Sequence, residues 1–173
     1  MLIWIIGLSG SGKTTLANEV ARITRMSHKN VVVLDGDDVR AVFQNDLGYS
    51  IDDRKANASR LCRLGKFLSE QGIIVITPIL SISDDSRVWN RKNVDNYFEI
   101  YIDSPMEALL ARDTKGLYGA FTRGEKQNVV GMDINFIPPE VSDLIIKNDK
   151  SLNFLLSHAE SIAKIAIGKL NVI

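Results

Sequence analysis

The chain has 173 residues, 45% of them hydrophobic, which suits one domain with a continuous core. Its 21 lysines and arginines balance 21 aspartates and glutamates, so there is no basic excess to hold a nucleic-acid polymer, and any nucleotide partner is expected to be a small molecule. The single cysteine, Cys62, excludes an internal disulfide and reads as a small buried hydrophobe, and no apolar run is long enough to span a membrane.

In chain order, the apolar run at 2–6 leads straight into Gly7 without the basic leader and cleavage site of a signal peptide, so a cytoplasmic protein is expected. Further short runs rich in Ile and Val lie at 31–34, 73–79, 97–102 and 143–146, the pattern of strands buried on both faces. Amphipathic stretches separate them at 13–26, 51–71, 85–95, 105–112 and 151–168. Strand alternating with helix predicts an α/β fold: a parallel five-stranded sheet with helices on both faces, the three-layer P-loop NTPase sandwich, as one domain over 1–173. Residues 113–140 break the rhythm with Gly116, Gly119, Gly124, Gly131, Pro138 and Pro139, and are expected to form a lid.

Gly7-Leu8-Ser9-Gly10-Ser11-Gly12-Lys13-Thr14 has the P-loop spacing and falls between a strand and a helix that begins Thr14-Thr15. Glycines let backbone N–H groups turn inward around a phosphate, and the helix N-terminus adds partial positive charge. Gly7, Ser9, Gly10, Ser11, Gly12, Lys13, Thr14 and Thr15 are therefore the candidate ATP-binding residues, with Lys13 reaching the β- and γ-phosphates and the Thr14 hydroxyl ligating Mg²⁺.

The second strand ends in Asp35-Gly36-Asp37-Asp38-Val39-Arg40, placing carboxylates at the sheet edge where open α/β folds bind ligands. Asp35 and Asp37 could orient or deprotonate an attacking hydroxyl or hold Mg²⁺, while helix capping is the plainer reading, and the two are evenly matched for Asp38. Arg54, Asn57 and Arg60 share one helical face; with Arg40 they either grip an anionic acceptor or form a solvated surface. Arg112-Asp113-Thr114-Lys115 opens the lid, which would bring cations over the nucleotide and exclude water. His28, His158, Trp4 and Trp89 carry no catalytic expectation.

The pieces GLSGSGKTT (7–15), LDGDDVR (34–40), DLGYS (46–50), DDR with Asn57 and Arg60, and ARDTKGLY (111–118) occur in an order that resembles the adenylylsulfate kinase family. Members transfer phosphate from ATP to the ribose 3′-hydroxyl of adenosine 5′-phosphosulfate in sulfate activation, and the resemblance runs from residue 1 to about 147. It implies that Asp35 and Asp37 sit near Mg²⁺ and the attacking hydroxyl, with Asp35 a metal ligand beside Thr14. It also implies that Arg40, Arg54 and Asn57 bind the acceptor, that Tyr49 stacks on its base, and that Arg112 and Lys115 serve the nucleotide and the lid. A homodimer is a known assembly of the family.

Two departures from the family pattern fall on the acceptor side. Where the family shows Ile-Ser-Pro-Tyr-Arg, this chain has Leu80-Ser81-Ile82-Ser83-Asp84, keeping as Ser81 the serine that some members phosphorylate and turning a cation into an anion. In the lid, Phe-Thr-Gly-Ile-Asp reads Val129-Val130-Gly131-Met132-Asp133, which places Val129 where the family has half of an aromatic clamp on adenine. An intact 3′-hydroxyl kinase with an altered acceptor is expected, as in the family's cytidine diphosphoramidate kinase branch of capsule phosphoramidate synthesis. A true adenylylsulfate kinase, a gluconate- or shikimate-like kinase and a non-catalytic ATP-binding regulator are the alternatives.

Overall fold

Alternate side chains of the strand β1 (Leu2–Ile6) point to opposite faces of a sheet, and each face carries its own core. In the computed structural model, which describes residues 1–113, 115–149 and 151–168, Ile3 and Ile5 pack with Leu16, Val20, Ile100 and Ile162 on one side. Leu2, Trp4 and Ile6 pack with Leu61, Val75 and Tyr101 on the other. Every residue of β1 is buried, as the central strand of a parallel sheet covered on both faces must be.

The other strands are β2 (Val31–Val33), β3 (Ile74–Ile79), β4 (Tyr97–Asp103) and β5 (Leu144–Lys147), ordered β2-β3-β1-β4-β5 with every pairing parallel. The connection after β1 runs to β2 on one side and that after β3 runs to β4 on the other. The carboxyl ends of these neighbours therefore part to leave a crevice, the place where such sheets bind ligands. The helices are α1 (Lys13–Thr24), α2 (Gly36–Val42), α3 (Ile51–Glu70), α4 (Asp85–Asn93), α5 (Met106–Arg112), α6 (Leu117–Thr122), α7 (Leu152–Leu156) and α8 (Ala159–Gly168). α1, α7 and α8 cover the first core, and α2, α3 and α4 the second.

The strands and long helices stand where the sequence pattern predicts, and the differences are local. The stretch 36–42 is a helix, started by the Asp35 side chain, which accepts the Asp37 N–H at 3.0 Å. The helix predicted over 151–168 is two, because Ser157 Oγ donates to the Phe154 carbonyl at 2.8 Å and the His158 ring contacts the same oxygen at 3.0 Å.

Residues 113–140 are not without periodic structure: they contain α6, which is held at its start by Asp113, whose carboxylate accepts the N–H of Tyr118 at 3.2 Å and of Gly119 at 2.8 Å. The segment has a small core of its own, Leu109, Tyr118 and Val129, against which Leu8, Met106 and Phe121 pack. Thr114 of the ARDTKGLY motif and residues 169–173 of the predicted domain lie outside the described residues.

Candidate active site

The loop between β1 and α1 turns on glycines that no other residue could replace without strain. Gly10 and Gly12 have φ of 77° and 93°, and a side chain at Gly7 would lie 2.9 Å from the Ile102 carbonyl oxygen. The loop delivers Lys13 and Thr14 to the N-terminus of α1, above the crevice. Lys13 Nζ donates to the Leu8 carbonyl at 2.7 Å. Burial draws its pKa down to about 8; nearby Lys115 adds to the lowering, while Asp35 and Asp37 oppose it.

Thr14 Oγ1 donates to Asp35 Oδ2 at 2.8 Å, so the loop hydroxyl and the carboxylate at the end of β2 share one point in space. Mg²⁺ takes one or two protein oxygens and fills its remaining sites with phosphate and water. The pair fits that demand, and among the described residues no group of three or more His, Cys, Asp or Glu side chains is arranged for an all-protein site. Asp37 lies one helical step further on, 3.6 Å from Lys115 Nζ and 3.3 Å from Arg40 Nη1.

Two cavities meet at the loop. One, of about 470 Å³, is lined by Ser9, Gly10, Gly12, Lys13, Thr14, Thr15, Arg112, Lys115, Asn148, Leu152 and Leu155. The other, of about 240 Å³, is lined on its inner side by Asp35, Asp37, Arg40, Asn57, Pro78 and Leu80, and on its outer side by Tyr49, Arg54, Lys126, Gln127, Asn128 and Val130. Ser9, Lys13, Thr14 and Lys115 line both, so a phosphoryl group at this junction would reach either space.

Asn57 donates through Nδ2 to the Gly36 carbonyl at 3.1 Å, yet its Oδ1 is buried with no partner among the described residues. Arg40 is 7% exposed, and its Nε is buried and unpaired in the same way. Leaving a buried polar group unpaired costs about 1–3 kcal/mol, and native structures rarely do so without a ligand or water in view. Arg54 donates from Nε to the Tyr49 carbonyl at 2.9 Å and from Nη2 to the Asn128 carbonyl at 3.0 Å, tying the lid to the outer wall. The Tyr49 ring lies under the guanidinium groups of Arg40 at 4.8 Å and Arg54 at 5.4 Å.

The structure thus gathers Gly10, Gly12, Thr15 and Arg112 about the larger cavity, Asp35, Asp37, Arg40, Tyr49, Arg54, Asn57 and Leu80 about the smaller, and Ser9, Lys13, Thr14 and Lys115 at their junction. Gly7 and Ser11 shape the loop from beneath. Three expected placements are corrected. Ser81 is 5% exposed and does not line the smaller cavity, because its hydroxyl donates to the Ser83 carbonyl at 3.0 Å inside the turn into α4. Val129 is 1% exposed and plugs the lid core, leaving Val130 to face the cavity. The anion at Asp84 pairs with Arg87 and does not line the smaller cavity.

Sequence reasoning missed Asn148, which donates from Nδ2 to the Ser11 carbonyl at 2.9 Å and lines the larger cavity. Its position at the end of β5, on the ligand-binding edge of the sheet, was the available signal. It also missed Tyr118, a buried residue whose hydroxyl donates to the Ser9 carbonyl at 2.9 Å, and the lid residues Lys126, Gln127 and Asn128, which no motif marks.

The adenylylsulphate kinase family model matches residues 1–147. This chain belongs to that family. The cytidine diphosphoramidate kinase of Campylobacter jejuni is 41% identical over 150 residues, 85% of each chain. An adenylyl-sulfate kinase of Bacillus licheniformis is 40% identical over 147 residues, 84% of this chain and 75% of the relative. Among solved structures, the Mycobacterium tuberculosis APS kinase in complex with AMPPNP and APS is 33% identical, covers 95% of both chains and superposes with a TM-score of 0.83. As a member of the adenylylsulphate kinase family the protein is a phosphotransferase of the nucleotide-kinase type, with ATP as its donor.

Proposed function

We propose that this protein transfers the γ-phosphate of ATP to the ribose 3′-hydroxyl of a small nucleotide, and that the acceptor is cytidine diphosphoramidate. The observation that carries the reading is the cavity lined by Asp37, Arg40, Arg54 and Asn57, which opens onto Lys13, Thr14 and Lys115. A ribosyl phosphate matches that lining, with hydroxyls for the carboxylate and anionic oxygens for the guanidinium groups.

Donor ATP lies in the larger cavity with its phosphates on the loop N–H groups and Lys13, and Arg112 reaches over the nucleotide. Thr14 and Asp35 would hold Mg²⁺, which when bound neutralises charge on the phosphates. Asp37 orients the acceptor hydroxyl and takes its proton as the new O–P bond forms. Lys115, at the junction, stabilises the charge spread over the phosphoryl group in flight. Arg40, Arg54 and Asn57 grip the acceptor, and the lid keeps water from competing with it.

The choice of a pyrimidine acceptor rests on the outer wall. Tyr49 is the one aromatic among the described residues lining the cavity, and the lid contributes Lys126, Gln127, Asn128 and Val130 to it. An adenine clamp needs a second ring, which is worth about 1–3 kcal/mol by analogy with stacking on single strands. A smaller base depends less on that ring, and the 41% identity to the Campylobacter jejuni enzyme supports the same acceptor and a role in capsule phosphoramidate synthesis. Adenosine 5′-phosphosulfate is the second reading, favoured by the likeness to the Mycobacterium tuberculosis structure that contains APS.

Incubation with MgATP and cytidine diphosphoramidate should give ADP and a product heavier by one phosphate, and the 3′-deoxy analogue should give neither. Phosphate transfer to the 3′-deoxy analogue would contradict the assignment of the reacting hydroxyl.

A further inference from the structure

The lid turn at 126–130 carries two buried aliphatic residues, Val129, which faces away from the acceptor, and Val130, which lines the cavity beside the polar residues of the turn. Val129 is held in the lid core, while Lys126, Gln127 and Asn128 line the cavity. Three constraints fix this orientation. The Asp133 carboxylate accepts the N–H of Asn128 at 2.8 Å and of Val129 at 2.5 Å. Asn128 sits in the left-handed region, φ 61°, which asparagine tolerates better than most residues. Arg54 Nη2, reaching across from α3, donates to the Asn128 carbonyl at 3.0 Å. The N–H and carbonyl of Asn128 and the N–H of Val129 are thereby satisfied within the protein, and the side-chain amides of the turn remain to meet the acceptor.

We infer that Gln127 and Asn128 read the base of the acceptor along its hydrogen-bonding edge, and so determine specificity where an aromatic clamp would otherwise do so. Each amide offers one acceptor oxygen and two donor N–H groups, the complement of an exocyclic amino group beside a ring nitrogen. Cytosine and adenine both carry that pairing of groups, but cytosine adds a carbonyl oxygen on the same edge that a second amide N–H can reach and adenine lacks, so the two amides together favour cytosine and replace the affinity that stacking would supply. Asp133 and Arg54 act as positioning residues for the turn, and Arg54 also faces the acceptor. This inference rests on the reading of the acceptor as a nucleotide given above.

The test is steady-state kinetics on the full chain with MgATP and each of the two acceptors in turn, comparing wild type with Gln127→Leu and Asn128→Gly. Glycine keeps the positive φ at 128 and both backbone bonds, so only the amide is removed. Each variant should raise the acceptor KM about tenfold with kcat and the ATP KM unchanged, and should shrink the ratio of kcat/KM between the cytidine and adenosine compounds. An unchanged acceptor KM in both variants overturns the inference while leaving the nucleotide-kinase reading intact. A parallel rise in the ATP KM overturns it too, by showing that the turn serves lid closure. A wild-type enzyme that phosphorylates neither nucleotide overturns both readings together.

Discussion

In the proposed mechanism Lys13 holds the donor and Asp37 prepares the acceptor, so their variants should separate accordingly. Lys13→Ala removes the cation from the β- and γ-phosphates and should abolish transfer, with ATP affinity falling as well. Asp37→Asn keeps the shape and loses the base, so kcat should drop about 10²-fold or more with ATP binding little changed in an isothermal titration. Because burial holds the Lys13 pKa at about 8, its charge is complete below that pH and lost above it. The kcat/KM for ATP should therefore fall as pH rises through about 8. Lys115 lowers that pKa by repulsion, so Lys115→Met should move the alkaline limb to higher pH. A limb that stays in place would show that another group sets it. Val129→Ala removes buried carbons from the lid core, and should cost about 2 kcal/mol and lower Tm by about 4–8 °C, with the acceptor KM unmoved.

At the scale of elements, the lid and the P-loop behave as one piece. Tyr118 of α6 donates to the Ser9 carbonyl across the crevice, and Leu8 packs on the lid core formed by Leu109, Tyr118 and Val129. Tyr118→Phe keeps the ring and deletes that bond. It should raise the ATP KM several-fold by loosening Ser9 and the loop, with Tm down by only a few degrees in a thermal melt. The elements themselves were largely legible. The P-loop could be read because its spacing is dictated by backbone geometry around a phosphate, and the buried strands because apolar runs of Ile and Val have few other uses. α2 and α6 were not, since seven- and six-residue helices carry too little periodicity and depend on single carboxylates that accept their first N–H groups, Asp35 for α2 and Asp113 for α6. The split between α7 and α8 turns on the side-chain bonds of Ser157 and His158, which composition does not display.

The whole molecule places two cavities on one edge of the sheet and lets four residues, Ser9, Lys13, Thr14 and Lys115, belong to both. That arrangement is what a direct transfer between two bound nucleotides requires, because the phosphoryl group need never leave the protein's charges. Part of the smaller cavity's lining was readable from residues matching family motifs, such as Arg40, Tyr49, Arg54 and Asn57. Ser81 and Val129 were misplaced for a shared reason: alignment to a motif fixes position along the chain, whereas the direction of a side chain depends on what it packs against. The measurement that tests the account most directly is kcat/KM of the purified enzyme with MgATP for cytidine diphosphoramidate and adenosine 5′-phosphosulfate, side by side. The cytidine compound should be favoured about tenfold or more, in keeping with a wall that lacks the second stacking ring. Preference for adenosine 5′-phosphosulfate would contradict the proposed acceptor and place the enzyme in sulfate activation.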